Sequence, residues 1–235
     1  MKRILTYLIC ILILSCQPKT EKENNKKIEV NEYPTFTEVV ETKDKLDTLL
    51  NNNDYLILGK KLAKVKVVKN DEIDNFPTFE ILIGYRDDII IGENINYESV
   101  KIYKKYNLNT AFKDYQVDIY EGELADPDFL TNPDSKKFIT RIKNECENGI
   151  NFAGHFTLVI WGCGSPCQSG VIVDRKTGHI YDGYGTALGS EFKKDSKMIV
   201  RNIGAIDTKT NLIEVCAYCD VNHEIWIGTK FKEIE

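Results

Sequence analysis

Between residues 55 and 125 the apolar positions fall in short runs and two-residue alternations. Residues 55–58 and 62–68 read as strands, with Lys64 and Lys66 alternating against Val65 and Val67. Residues 79–85 and 89–91 predict two more strands, joined through Arg86, Asp87 and Asp88 in a hairpin. Ahead of them, residues 42–50 place Leu46, Leu49 and Leu50 on one side of a short helix, with Thr42 as its N-cap and residues 51–54 ending it. Residues 97–106 carry two periods at once. Tyr97, Val100, Tyr103 and Tyr106 recur at helical spacing while Val100 and Ile102 alternate, and a strand is the preferred reading.

The second half is more regular. Residues 126–134, with Pro127 and Pro133, connect to a helix over residues 135–147 that places Phe138, Ile139, Ile142 and Cys146 on one face, with Gly149 as its C-cap. Cys146 is then a buried core residue. From residue 153 onward, strand patterns follow one another at 153–161, 170–174, 179–181, 197–201, 212–216 and 224–230. Two of the intervening turns, Asp-Arg-Lys-Thr-Gly at 174–178 and Asp-Thr-Lys-Thr-Asn at 207–211, share an Asx start and an end residue tolerant of positive φ, which suggests a duplicated hairpin. The expected fold class is α+β: a mixed N-terminal half over residues 34–125, then a connecting helix and an antiparallel β-meander over residues 126–235.

The first fifteen residues have a different character. Lys2 and Arg3 precede an apolar run at residues 4–14, broken by Thr6. At about 1.5 Å per residue this run reaches about half of a roughly 30 Å hydrocarbon layer, so it predicts an export signal and not a membrane span. Ile13-Leu14-Ser15-Cys16 resembles the lipobox of bacterial lipoproteins, with Leu14 standing where a small residue is usual. That resemblance implies cleavage before Cys16, its acylation with fatty chains such as palmitate, and attachment to a membrane. Residues 16–33 are polar and charged, a composition suited to a flexible tether. Among such lipoproteins an Asp after the Cys retains the chain at the inner membrane; Gln17 in that place implies the outer membrane.

Composition narrows the partners. The 235 residues hold 31 Lys plus Arg against 36 Asp plus Glu, for a net charge of −5, and 42% are hydrophobic. That is enough apolar material for a core. An acidic chain without a long basic stretch cannot neutralise a phosphate backbone, so nucleic acid is excluded as a partner. Loss of Lys2 and Arg3 leaves the body more acidic still, so charge does not recruit it to anionic lipid and the acyl anchor must hold it there.

The most distinctive stretch of the body is Asn-Phe-Ala-Gly-His at residues 151–155, followed by Trp-Gly-Cys-Gly at 161–164 and a second Cys at 167. Over residues 150–200 it resembles an uncharacterised group of bacterial envelope proteins, and no activity comes with the likeness. Cys163 with Cys167 and Cys216 with Cys219 form two close pairs. In an exported chain these predict disulfides, with three connectivities open and crossed bonds the more stabilising. Zinc held by all four thiolates is the next reading, and a thiol oxidoreductase at Cys216 and Cys219 a further one. A Cys/His hydrolase would draw on Cys163, His155 or His223, with Asp174, Asp182 or Asp220 as orienter. The glycines of residues 183–189 have the wrong spacing for a dinucleotide fingerprint and predict a loop. Trp161, Tyr181, Tyr184 and Trp226 are candidates for an aromatic groove that holds a glycan or peptide. The leading expectation is a non-enzymatic envelope lipoprotein that binds another protein or an envelope glycan, with no resident cofactor.

Overall fold

A computed structural model describes residues 46–85, 88–107 and 110–234. The signal segment, Cys16 and the tether lie outside these residues. The described chain is mostly β, with four antiparallel sheets and one short α-helix.

The first sheet begins where a helix was expected. Residues 42–45 lie outside the described chain, and β1 (Asp47–Asn51) pairs antiparallel with β2 (Tyr55–Gly59). The polar break at residues 51–54 is the turn of this hairpin. Asn52 Oδ1 accepts from the amides of Asp54 at 3.0 Å and Tyr55 at 2.7 Å, which closes the chain back on itself. An irregularity in register between Thr48 and Leu50 lets the consecutive Leu49 and Leu50 both reach the core, and it is this doublet that imitates helical spacing.

β3 (Lys64–Lys69), β4 (Glu80–Tyr85) and β5 (Asp88–Glu93) form a second sheet in the order β3-β5-β4, so the hairpin expected at residues 79–91 is present. Residues 97–106 resolve into a 3-10 turn at Tyr97–Ser99 and then β6 (Lys101–Lys105), which explains the two superimposed periods. Tyr55 and Ile57 of β2 pack against Val65 of β3 and Ile90 of β5, so the first two sheets face each other across a shared core.

The predicted helix is composite. A 3-10 turn, Pro133–Phe138, runs directly into α1 (Ile139–Glu147), because Pro133 sits at the first position of the turn and Asn132 Oδ1 caps it by accepting from Ser135 N. Ile142 and Cys146 are the buried positions of α1, and Gly149 (φ +87) ends it.

β7 (Phe156–Gly164), β8 (Cys167–Asp174) and β9 (Ile180–Thr186) form a three-stranded meander. Its two faces are both covered. Val159, Val171, Val173 and Ile180 pack on Ile142 and Cys146 of α1. On the other face, Phe156, Leu158, Ile172 and Tyr184 pack on Ile199 and Trp226 of a fourth sheet. Burial on both sides explains why Phe-Thr-Leu-Val-Ile at residues 156–160 and Val-Ile-Val at 171–173 are nearly continuous apolar runs instead of alternations.

The expected meander does not continue past β9. β10 (Ser190–Phe192) pairs with β11 (Met198–Arg201), and β11 pairs with β14 (Asn222–Trp226). Between them, the hairpin of β12 (Ile206–Asp207) and β13 (Leu212–Glu214) pairs with β6 and so extends the first sheet to β1-β2-β6-β13-β12. The strand expected at residues 224–230 ends at Trp226 in β14; the chain then turns back at Gly228 (φ +95), and β15 (Phe231–Glu233) follows and pairs with β14. The paired turns do match. In each, the first Asp accepts an amide two residues on at 2.8 Å, its carbonyl accepts from the fifth residue at 2.8 Å, and that residue has positive φ (Gly178 +82, Asn211 +55).

Candidate functional site

The Asn-Phe-Ala-Gly-His segment is a tight turn that launches β7. Phe152 and Phe156 exchange backbone hydrogen bonds at 3.0 and 2.9 Å, and the three residues between them carry the reversal, with Ala153 at φ +47 and Gly154 at φ +82. A Cβ on Gly154 would meet the Asp118 carbonyl oxygen at 2.5 Å, so the position admits only glycine. Phe152 is fully buried in the core. Asn151 uses both ends of its amide on Leu158. Each residue of the motif up to Gly154 thus has a structural task.

His155 leaves the turn half-buried, its ring 4.1 Å from that of Phe156. Its Nε2 lies 3.9 Å from Asp174 Oδ1, too far for a hydrogen bond. Burial lowers the imidazole pKa, Lys176 adds to this, and Asp174 opposes it. Asp174 is occupied by its own turn, accepting from Lys176 N at 2.8 Å and Thr177 Oγ1 at 3.1 Å. Cys163 stands at the far end of β7, eight positions away; at about 3.3 Å per residue that is roughly 25 Å. The structure therefore does not bring together His155 and Cys163, two of the residues on which a Cys/His hydrolase would draw.

The four late cysteines are joined as Cys163–Cys167 and Cys216–Cys219, each pair with its Cα atoms 5.1 Å apart. Of the three connectivities left open by the sequence, the structure has the local one, and the more stabilising crossed bonds are not formed. By loop-closure entropy, rings this small are worth roughly 2 kcal/mol each, about half of what a crossed pair would give. Paired sulfurs are not thiolates, which removes the zinc ligand set and the Cys163 nucleophile together. Among the described residues no group of three or more His, Cys, Asp or Glu is placed to hold a metal ion.

The four aromatic candidates do not share a groove. Trp226 is 1% exposed and Tyr184 4%, and both are core residues. Trp161 packs toward the α1 face of the meander, stacked on Phe138 at 4.0 Å, while Tyr181 packs toward the opposite face against Trp226. Strand alternation separates them. The glycines at 183 and 185 lie in β9 and not in a loop. Their carbonyls accept from the guanidinium of Arg201, which is also paired with Glu224.

Cys146 is the free thiol of the described chain, and it is buried. Burial pushes its pKa up to about 11 although the Arg175 guanidinium opposes the shift, so it is not a nucleophile. Arg175 was not singled out by sequence reasoning. It is buried and donates to the carbonyls of Ala125 and Cys146, placing its charge at the C-terminal end of α1.

A different cluster gathers where the first and fourth sheets meet. The Cys216–Cys219 turn joins β13 to β14, with Cys219 N donating to Cys216 O at 3.3 Å, and Ala217 and Tyr218 are exposed at its tip. Asp220 follows directly. Its Oδ1 is buried and has no hydrogen-bond partner, and burial raises its pKa. The Asp220 carbonyl accepts from Asn202 Nδ2 at 2.7 Å, while Asn202 Oδ1 accepts from Thr186 Oγ1 and the amides of Ala187 and Leu188. On β14, His223 Nε2 lies 2.8 Å from Tyr106 Oη beyond the end of β6, and burial lowers the His223 pKa. Tyr106 and Asn202 were missed because nothing local in the sequence links them to residues 216–223. The described surface also carries an open depression of about 410 Å³ along β3, lined by Leu50, Val65, Val67, Val68 and Phe76. No protein-family model, curated protein or solved structure matches this chain.

Proposed function

We propose that the chain is a cell-envelope lipoprotein, exported by residues 1–15, acylated at Cys16 and held at the outer membrane, whose body binds another protein or an envelope glycan without catalysing a reaction. The observation that carries this reading is the joining of both late cysteine pairs as disulfides. Such bonds persist in an oxidising compartment, and they consume the thiolates that the alternative, a Cys/His hydrolase, would need. The polar composition of residues 16–33 and the acidic balance of the chain agree with tethering by lipid instead of by charge.

Metabolic labelling with a tagged palmitate tests the anchor. Label is expected in the wild-type chain in the outer-membrane fraction and is expected to vanish in Cys16→Ala. A thiol reagent applied to the folded, unreduced protein tests the body. No rapid modification is expected, and a fast-reacting thiol at Cys163 would restore the hydrolase reading.

A further inference from the structure

The Cys216–Cys219 turn combines three features that a purely structural crosslink does not require. It is a C-x2-C pair, so after reduction the sulfurs remain on one four-residue turn, poised to rejoin. Its tip is open, with Ala217 exposed and Tyr218 49% exposed, so another thiol-bearing chain can reach the bond and rest against an aromatic face. The residue that follows is an acid whose Oδ1 is shielded from water and has no hydrogen-bond partner. The Cys163–Cys167 pair has no acid directly beside either cysteine in the sequence; its neighbours are Gly162, Gly164, Pro166 and Gln168.

We propose that, beyond the non-catalytic binding read above, Cys216 and Cys219 form a stoichiometric thiol–disulfide exchange site whose partner is a dithiol or disulfide of another envelope protein, with Asp220 as the proton acceptor. In the oxidising direction the Cys216 thiolate attacks the partner's disulfide. A bond forms between Cys216 Sγ and one partner sulfur, and the other partner sulfur leaves as a thiolate. Cys219 then gives its proton to the Asp220 carboxylate, and its Sγ attacks Cys216 Sγ. The mixed disulfide breaks, Asp220 passes its proton to the departing partner sulfur, and the partner leaves with both sulfurs reduced, one as the thiol and one as the thiolate. Two electrons pass from the Cys216/Cys219 pair to the partner, and the reverse sequence opens the bond, with the Asp220 acid returning the proton to Cys219. A carboxyl group kept from water is a stronger base than an exposed one, which suits it to this transfer. The turn lacks a helix N-terminus to stabilise the thiolate, so the site assigns the proton step, not thiolate stabilisation, to the protein.

The test uses the whole chain, reduced under native conditions with dithiothreitol, freed of it, and mixed with glutathione disulfide. Alkylation and peptide mass spectrometry follow each cysteine. Cys216–Cys219 is expected to open in the folded protein before Cys163–Cys167 and to re-form through a Cys216–glutathione adduct. In Asp220→Asn the adduct is expected to form at the wild-type rate but to resolve roughly tenfold or more slowly, so that it accumulates, and Asp220→Glu is expected to restore resolution in part. A merely structural Asp220 would not separate the two steps. Opening of Cys216–Cys219 only on unfolding would overturn the proposal, as would equal resolution rates in wild type and Asp220→Asn. Should Asp220→Asn not fold, the wild-type order of opening and the presence of the adduct decide alone. Acylation of Cys16 is read separately by palmitate label, so a failure here leaves the anchor untouched.

Discussion

Asn151 satisfies both backbone groups of Leu158: its Oδ1 accepts from the Leu158 amide at 2.7 Å and its Nδ2 donates to the Leu158 carbonyl at 3.0 Å. Leu158 is 1% exposed and sits on the outer edge of β7, where no strand among the described residues pairs with it. The side chain thus stands in for a missing strand, and Arg141 does the same one step on, donating to the Ile160 carbonyl. Removing the amide leaves two buried groups unpaired. Asn151→Ala is expected to lower stability by about 2–4 kcal/mol in urea denaturation. Asn151→Asp, which keeps the acceptor and loses the donor, is expected to lose about half of that.

Asn202 is a second such hub, and it adopts positive φ (+56). Asn202→Ala loses the four side-chain bonds and strains the backbone, whereas Asn202→Gly loses the bonds alone. The glycine variant is expected to be more stable than the alanine variant by about 1 kcal/mol, measured by the same denaturation. Equal loss in both would mean that the left-handed conformation is not retained.

Much of the β-structure was legible because its apolar runs are bounded by Asx turns and glycines, and both Asp-x-Lys-Thr-Gly/Asn turns are present as expected. Leu49 and Leu50 misled because a bulge brings adjacent residues to one side, which no period anticipates. The place of β13 beside β6 was also illegible, since a one-hairpin detour to another sheet leaves no local trace. The aromatic groove failed for a simple reason: Trp226 and Tyr184 are large enough to build the core that they were expected to border.

The half-buried His223 predicts a pH dependence with a definite sign. Burial lowers the His223 pKa below its ordinary 6.5, so on acidification the unfolded chain takes up a proton that the folded chain resists. The contribution is intact above about pH 6.5 and is lost as pH falls from there through the depressed folded value. Comparison of urea midpoints at pH 8 and pH 5 is expected to show a smaller acid loss in His223→Gln than in wild type.

Asp220 has the opposite sign. Burial raises its pKa, so the fold prefers the neutral acid, and the stability this gives below the ordinary carboxyl value is lost as pH rises through the raised one. At pH 7 Asp220→Asn is expected to melt no lower than wild type. A clear fall in melting temperature would assign Asp220 a stabilising contact that the structure does not contain.

The intact mass of the protein extracted from membranes, taken before and after alkylation in denaturant without reductant, tests the central claim in one measurement. The expected product begins at Cys16, carries fatty acyl chains and gains a single alkyl group, at Cys146. A chain that begins at Met1, bears no acyl mass and takes up alkyl groups at Cys163, Cys167, Cys216 and Cys219 would contradict it.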